Sequence, residues 1–266
     1  AVLTNITASG TVTANVASST DYSSNTTLGA VDVYTVAGGA VATLTSAQVN
    51  NLTINGSGGL TIDAMATDIV LTNVSASGVV TANIAATGDY SSNTTLGVID
   101  NFVVAASKTA TLSAAQADNS VDISASGAVA KIRVSSNEDL SGRSLDSDIS
   151  EIIVAQGATA TVSAAQANGQ TISGDGAVIV NSITSSTNLT SVNPAGGVTA
   201  TLTDGLNISS FSNLGNVDNF SLNSNASVTM TVAQNATVTS GVGTNTITLS
   251  DVATIGAPGT GAPGIE

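Results

Sequence analysis

Residues Leu28–Gln48 read LGAVDVYTVAGGAVATLTSAQ. Within them VATLTS alternates apolar and hydroxyl residues, the period of a strand with one face inward and one outward. The closing Thr45-Ser-Ala-Gln48 has the spacing of a capping box, in which hydroxyl and amide satisfy each other's free backbone N–H groups at a helix start. A single helical turn is expected there, because the Asn residues that follow leave no room for more. The same order of parts recurs. VDVYTVA at Val31 is followed by IDNFVVA at Ile99, ISEIIVA at Ile149 and VDNFSLN at Val217, with apolar centres Tyr34, Phe102, Ile152 and Phe220. Gln48, Gln116, Gln166 and Gln234 each fall 14 residues after those centres, closing TSAQ, SAAQ, SAAQ and TVAQ.

The repetition extends further upstream. LTNITASGTVTANV at Leu3–Val16 returns as LTNVSASGVVTANI at Leu71–Ile84, and DYSSNTTLG at Asp21–Gly29 returns unchanged at Asp89–Gly97, both at the same offset in the chain. The centres lie 68, 50 and 68 apart. Both intervals are near multiples of about 17, which predicts stacked coils of that length with one coil missing from the shorter repeat. The expected fold is all-β, a parallel β-solenoid with short helical turns over residues 1–255, in which some fifteen coils about 4.8 Å apart make a rod of roughly 70 Å. Tandem β-sandwich modules are the alternative, although these repeat at around 100 residues and use a Trp or Tyr core. Residues 256–266, GAPGTGAPGIE, read as a linker, and Ala1 does not open a signal peptide, so the chain is expected to be part of a longer one.

Composition narrows the function. The 266 residues contain no Cys, His or Trp, and 4 Lys+Arg stand against 18 Asp+Glu. Thiol, imidazole and thiolate–metal chemistry are therefore absent, and an enzyme is not expected. The formal charge of −14 opposes nucleic acid and anionic lipid, which are bound through Lys and Arg clusters. All four basic residues, Lys108, Lys131, Arg133 and Arg143, lie centrally, so trypsin-like proteases find few sites. Aromatic residues make up 2%, which suits thin layers of small aliphatic side chains and not a sugar cleft lined with aromatic platforms. No apolar run reaches the roughly 18 residues of a membrane span.

Acidic residues recur at expected corners: Asp21 and Asp89; Asp32, Asp100 and Asp218; and a denser group from Glu138 to Glu151. For the isolated aspartates, capping of turn N–H groups is the favoured reading. For Asp139, Asp146, Asp148 and Glu151 the expectation is a calcium site, calcium being a hard cation held by carboxylates and carbonyls. Thr-x-Thr pairs such as Thr11/Thr13 and Thr43/Thr45 raise the alternative of an ice-binding ladder.

The pattern LG-x-[VI]-D-x-[FY], as in Leu28–Tyr34, followed by ATL-[ST]-x-AQ, as in Ala42–Gln48, resembles the repeat regions of very large bacterial surface proteins, the S-layer proteins and calcium-dependent RTX-type adhesins. That resemblance covers nearly the whole chain and implies a secreted structural protein at the bacterial cell surface, self-associating into a lattice, sheath or stalk. It implies calcium use and transfers no catalytic residue. A ligand-binding solenoid, recognising ice or a cell-surface polysaccharide, is the second expectation.

Overall fold

The alternation seen in VATLTS is carried out in three dimensions as a parallel β-solenoid of about 12 turns. The structure, a computed structural model, describes residues 8–118, 121–241 and 243–251, so the expected linker at 256–266 lies outside the described residues. Every pairing between named strands is parallel, from Thr13↔Val33 to Met230↔Leu249. At roughly 4.8 Å per turn the rod is about 55 Å long.

The turn is longer than the coil expected from the sequence intervals. Strand partners lie 20 apart at Thr13↔Val33 and Leu60↔Val80, 18 apart at Val41↔Gly59 and 22 apart at Thr20↔Ala42. Such a turn uses two short strands and one side of loop or helix, as where Ser46–Val49 joins the strand Val41–Thr45 to Thr53–Gly56. This changes the meaning of the longer interval. Three turns at that spacing fall short of 68, and the remainder carries the motif one side further round.

The sheets hand over accordingly. The first comprises Thr13–Val16, Val33–Val36 and Thr53–Gly56, and holds Tyr34. The second runs over six strands from Thr20–Asp21 to Asp122–Ser124 and holds Phe102. A third, from Gly88–Asp89 to Thr171–Gly174, holds Ile152, and a fourth, from Glu138–Asp139 to Val238–Gly241, holds Phe220. The four centres thus sit on successive sheets and do not form one column. The shorter interval, 50, is less by one whole turn and so preserves the advance by one sheet. New sheets begin at the DYSS position itself: the second at Asp21, the third at Asp89, the fourth at Asp139, with Asn207 bridging Thr229 ahead of the fifth.

Inward residues stack in columns. Leu112, Ile132, Ile152 and Ile172 follow one another in register, each no more than 1% exposed, and one continuous apolar cluster runs from Val16 to Met230. Where a ring enters, the residue above it is small: Ala14 over Tyr34, Ala82 over Phe102 and Ala200 over Phe220. The non-aromatic copy instead stacks Ile132 over Ile152. Volume is exchanged between neighbouring turns, which keeps interior density constant without interrupting the ladder. Gly56 and Gly174, both at φ +106°, lie against the Val36 and Val154 carbonyls of the preceding turn, where a Cβ has no space.

Candidate functional site

The side of each turn that is not a strand carries the repeat's polar residues, and it is assembled the same way in each copy. An Asx turn opens it: the backbone N–H of Ser23, Ser91, Ser141 and Ser209 donates to Asp21, Asp89, Asp139 and Asn207. The matching Ser hydroxyls, together with these backbone bonds, hold the Asp21 and Asp139 carboxyls below the usual range. For Asp89, desolvation pushes upward, but the Ser91 bonds and the Arg133 guanidinium outweigh it and the carboxyl stays low.

The expected capping boxes are present at Thr45/Gln48, Ser163/Gln166 and Thr231/Gln234. Ser113/Gln116 makes the same reciprocal bonds over a turn that is not helical. Sequence reasoning missed what the rest of each Gln does. Its Nε2 reaches back to the previous turn, donating to Tyr22 and Asn25 O from Gln48, to Tyr90 and Asn93 O from Gln116, to Leu140 and Arg143 O from Gln166, and to Ile208 O from Gln234. The constant spacing of each Gln from its apolar centre reflects this clamp, because the Gln must lie over the Asx-turn loop one turn earlier.

Between that loop and the capped turn lies a cleft. In the first copy it measures about 630 Å³ and is lined by residues from Ser23 to Leu52, including Leu28, Val31, Tyr34, Gln48 and Asn50, with no charged side chain. In the third copy an equivalent cleft of about 490 Å³ contains Ile152, Gln166 and Asn168, the counterparts of Tyr34, Gln48 and Asn50, and adds Arg143 and Asp146.

The four carboxylates expected to hold calcium are spread over two sheets and a loop. Asp139 accepts from Ser141. Asp146 accepts from the N–H groups of Ile123 (3.2 Å) and Asp148 (2.8 Å), and Asp148 from Ala125 (2.8 Å). These two aspartates stand where a further strand of the second sheet would lie, and they satisfy the open donors of its last strand. Glu151 pairs with Lys131 at 2.6 Å, directly across the ladder, and this bond, with one from Ser173, holds its carboxyl low. Among the described residues no three acidic side chains converge as a metal group. Asp32, Asp100 and Asp218 accept from backbone N–H groups, as isolated aspartates were expected to, but the donors are Val12, Val80 and Val198, one turn earlier and not in the aspartate's own turn.

Arg133 pairs with Asp89 at 3.0 Å, and Arg143 with Asp118 at 2.6 Å and Glu138 at 3.1 Å, so three of the four basic residues are engaged. The outward column Thr43–Thr61–Thr81 ends at Asn101, and Thr111 is followed by Lys131. Ladders this short give an ice lattice little to match. No helix of the described residues is long and apolar enough to cross a membrane. No protein-family model, curated protein or solved structure matches this chain.

Proposed function

We propose that this chain is a stiff structural segment of a bacterial cell-surface assembly, a rod within an S-layer, sheath or adhesin stalk. The observation that carries the reading is the uninterrupted ladder: one apolar core extends through about 12 turns, and the polar side is handed from sheet to sheet without breaking it. Each turn contacts only its neighbours, so a pull along the axis is shared by many parallel strand pairs. The side-chain chemistry supports a mechanical role over a catalytic one. Buried carboxylates of the kind that serve as general acids are missing from the described core, and the acidic groups instead cap backbone N–H groups or pair with Lys and Arg.

Three of the four basic residues, the only ones trypsin recognises, are tied into ion pairs, which suits survival outside the cell. The net charge of −14 keeps separate rods apart at low ionic strength. Association into a lattice or filament therefore calls for screening or for bridging cations, and calcium has its place in this reading as such a bridge between rods.

Electron microscopy of the purified chain and of the native cell surface, with and without a calcium chelator, tests the proposal. Rods of the expected length that join into sheets or filaments, and an outer location on the cell, support it. A protein that remains monomeric at all calcium concentrations and resides inside the cell refutes it.

A further inference from the structure

The cleft of the first copy differs from its counterparts in carrying a hydroxyl at its apolar centre. Phe102 and Phe220 fill the place of Tyr34 in the second and fourth copies, and Ile152 in the third, so packing does not require a hydroxyl there. Tyr34 is 1% exposed, and its Oη is, among the described residues, the single enclosed side-chain N or O atom without a hydrogen-bond partner. Native structures rarely leave such a group unpaired, because it has lost water and gained nothing in return. Burial, with Tyr22 beside it, pushes the hydroxyl up to about 12, so it is a donor at every physiological pH. The Tyr22 ring, 6.3 Å away and tilted by 49°, packs beside it.

The surroundings state what kind of acceptor suits that donor. The cleft offers the Thr26 hydroxyl and the Asn50 amide nitrogen beside the apolar Leu28 and Val31, and no charge, the Gln48 amide being taken up by its bonds to Thr45, Tyr22 and Asn25. An ionic ligand would lose its hydration without meeting a counter-charge. A purely apolar one would leave Tyr34 Oη unpaired. The volume, about 630 Å³, falls in the range of roughly 300–1,000 Å³ typical of small-molecule sites. The third copy carries Arg143 and Asp146 where the first has Asn25 and Leu28, so the neutral character belongs to the first cleft and not to the repeat as a whole.

We infer that the cleft between the 22–30 loop and the Ser46–Val49 turn binds one neutral sugar ring, whose entry parts the side chains enclosing Tyr34 Oη so that a sugar hydroxyl accepts its hydrogen bond. The ring's alternating C–H and O–H surface matches a lining that is part aliphatic and part amide. This inference does not depend on the rod reading: a monomeric protein could bind the sugar, and an assembling one could fail to.

The test is titration calorimetry and ligand-observed NMR on the whole chain, using neutral hexoses and N-acetylhexosamines, their short oligosaccharides, and a uronic acid as charged control. Tyr34→Phe removes the donor in a shape already accommodated at Phe102 and Phe220. It should weaken neutral-sugar binding about tenfold, the effect of one lost hydrogen bond, while leaving the melting temperature equal or higher. Ala47→Trp, placed on the exposed rim of the cleft, should abolish binding, and Ala165→Trp at the third copy should leave it intact. Binding of oligosaccharides alone would still support the inference if both variants of the first cleft lose it. Binding that both variants leave unchanged, a preference for the uronic acid, or a Tyr34→Phe protein that is merely more stable while no sugar binds either form would overturn it.

Discussion

Replacing Gln116 by Ala should loosen the rod at one turn, and the size of the effect follows from three hydrogen bonds. Gln116 is 6% exposed; its Oε1 accepts from Ser113 N–H at 2.8 Å, and its Nε2 donates to Tyr90 O at 3.1 Å and Asn93 O at 2.7 Å. At about 1 kcal/mol net for each bond the loss is about 3 kcal/mol. With an unfolding entropy of about 2.1 cal/mol/K per residue, that corresponds to a fall in melting temperature of about 5 °C. Since each turn contacts only its neighbours, amide exchange should accelerate first around 90–93 and 113–116. Gln116→Glu separates the two functions of the side chain. It keeps the acceptor for Ser113 but sets a carboxylate against two carbonyl oxygens, so at pH 7 it should be at least as damaging as Ala. Burial and those carbonyls raise the folded-state pKa of the introduced acid above its unfolded value. The folded form then binds the proton more tightly, and stability should recover as pH falls through that raised pKa. Calorimetric melting of both variants between pH 4 and 8 reads this directly. A shift below about 1 °C for Ala, against the several degrees expected, or a Glu variant that follows the parent protein at every pH, would refute the clamp.

Further outcomes follow from the same geometry. Glu151, Asp21, Asp139 and Asp89 all have folded pKa values below their unfolded ones, so their contribution is present above about pH 4 and is lost as pH falls through the lowered values. In about 0.15 M salt, which screens the net negative charge, the melting temperature should decline below about pH 4, and Glu151→Gln should flatten part of that decline. Gly174→Ala forces a Cβ onto the Val154 carbonyl at φ +106° and should lower stability by about 1–3 kcal/mol in urea unfolding, with Gly56→Ala behaving alike. Ala82→Leu overpacks the space above Phe102 and should cost about 1–3 kcal/mol. Combining it with Phe102→Leu should recover part of that loss, and strict additivity of the two would contradict the exchange of volume between turns.

Much of the architecture is local chemistry written along the chain. Alternation in VATLTS, the hydroxyl and amide three residues apart in TSAQ, and aspartate before a turn all act within a few residues, so strands, capping boxes and Asx turns could be read directly. Repetition extended that reading to a solenoid. Asp146 and Asp148 were harder, because a carboxylate that ends a sheet and one that binds an ion look alike in sequence. Their partners, Ile123 and Ala125, lie 23 residues upstream.

The length of the turn belonged to the fold. Intervals of 68 and 50 divide evenly by about 17, yet the lateral hydrogen bonds select strands 18 to 22 apart, and with them a repeat that rotates by one sheet per copy. Periodicity counts residues between like motifs, whereas register depends on which backbone groups meet across turns and on how bulky and small side chains share the interior. The same distinction separates the capping box from the clamp. Thr45 and Gln48 announce their bond by proximity, but the carbonyls of Tyr22 and Asn25 come within reach of Gln48 only when one turn has been laid upon another.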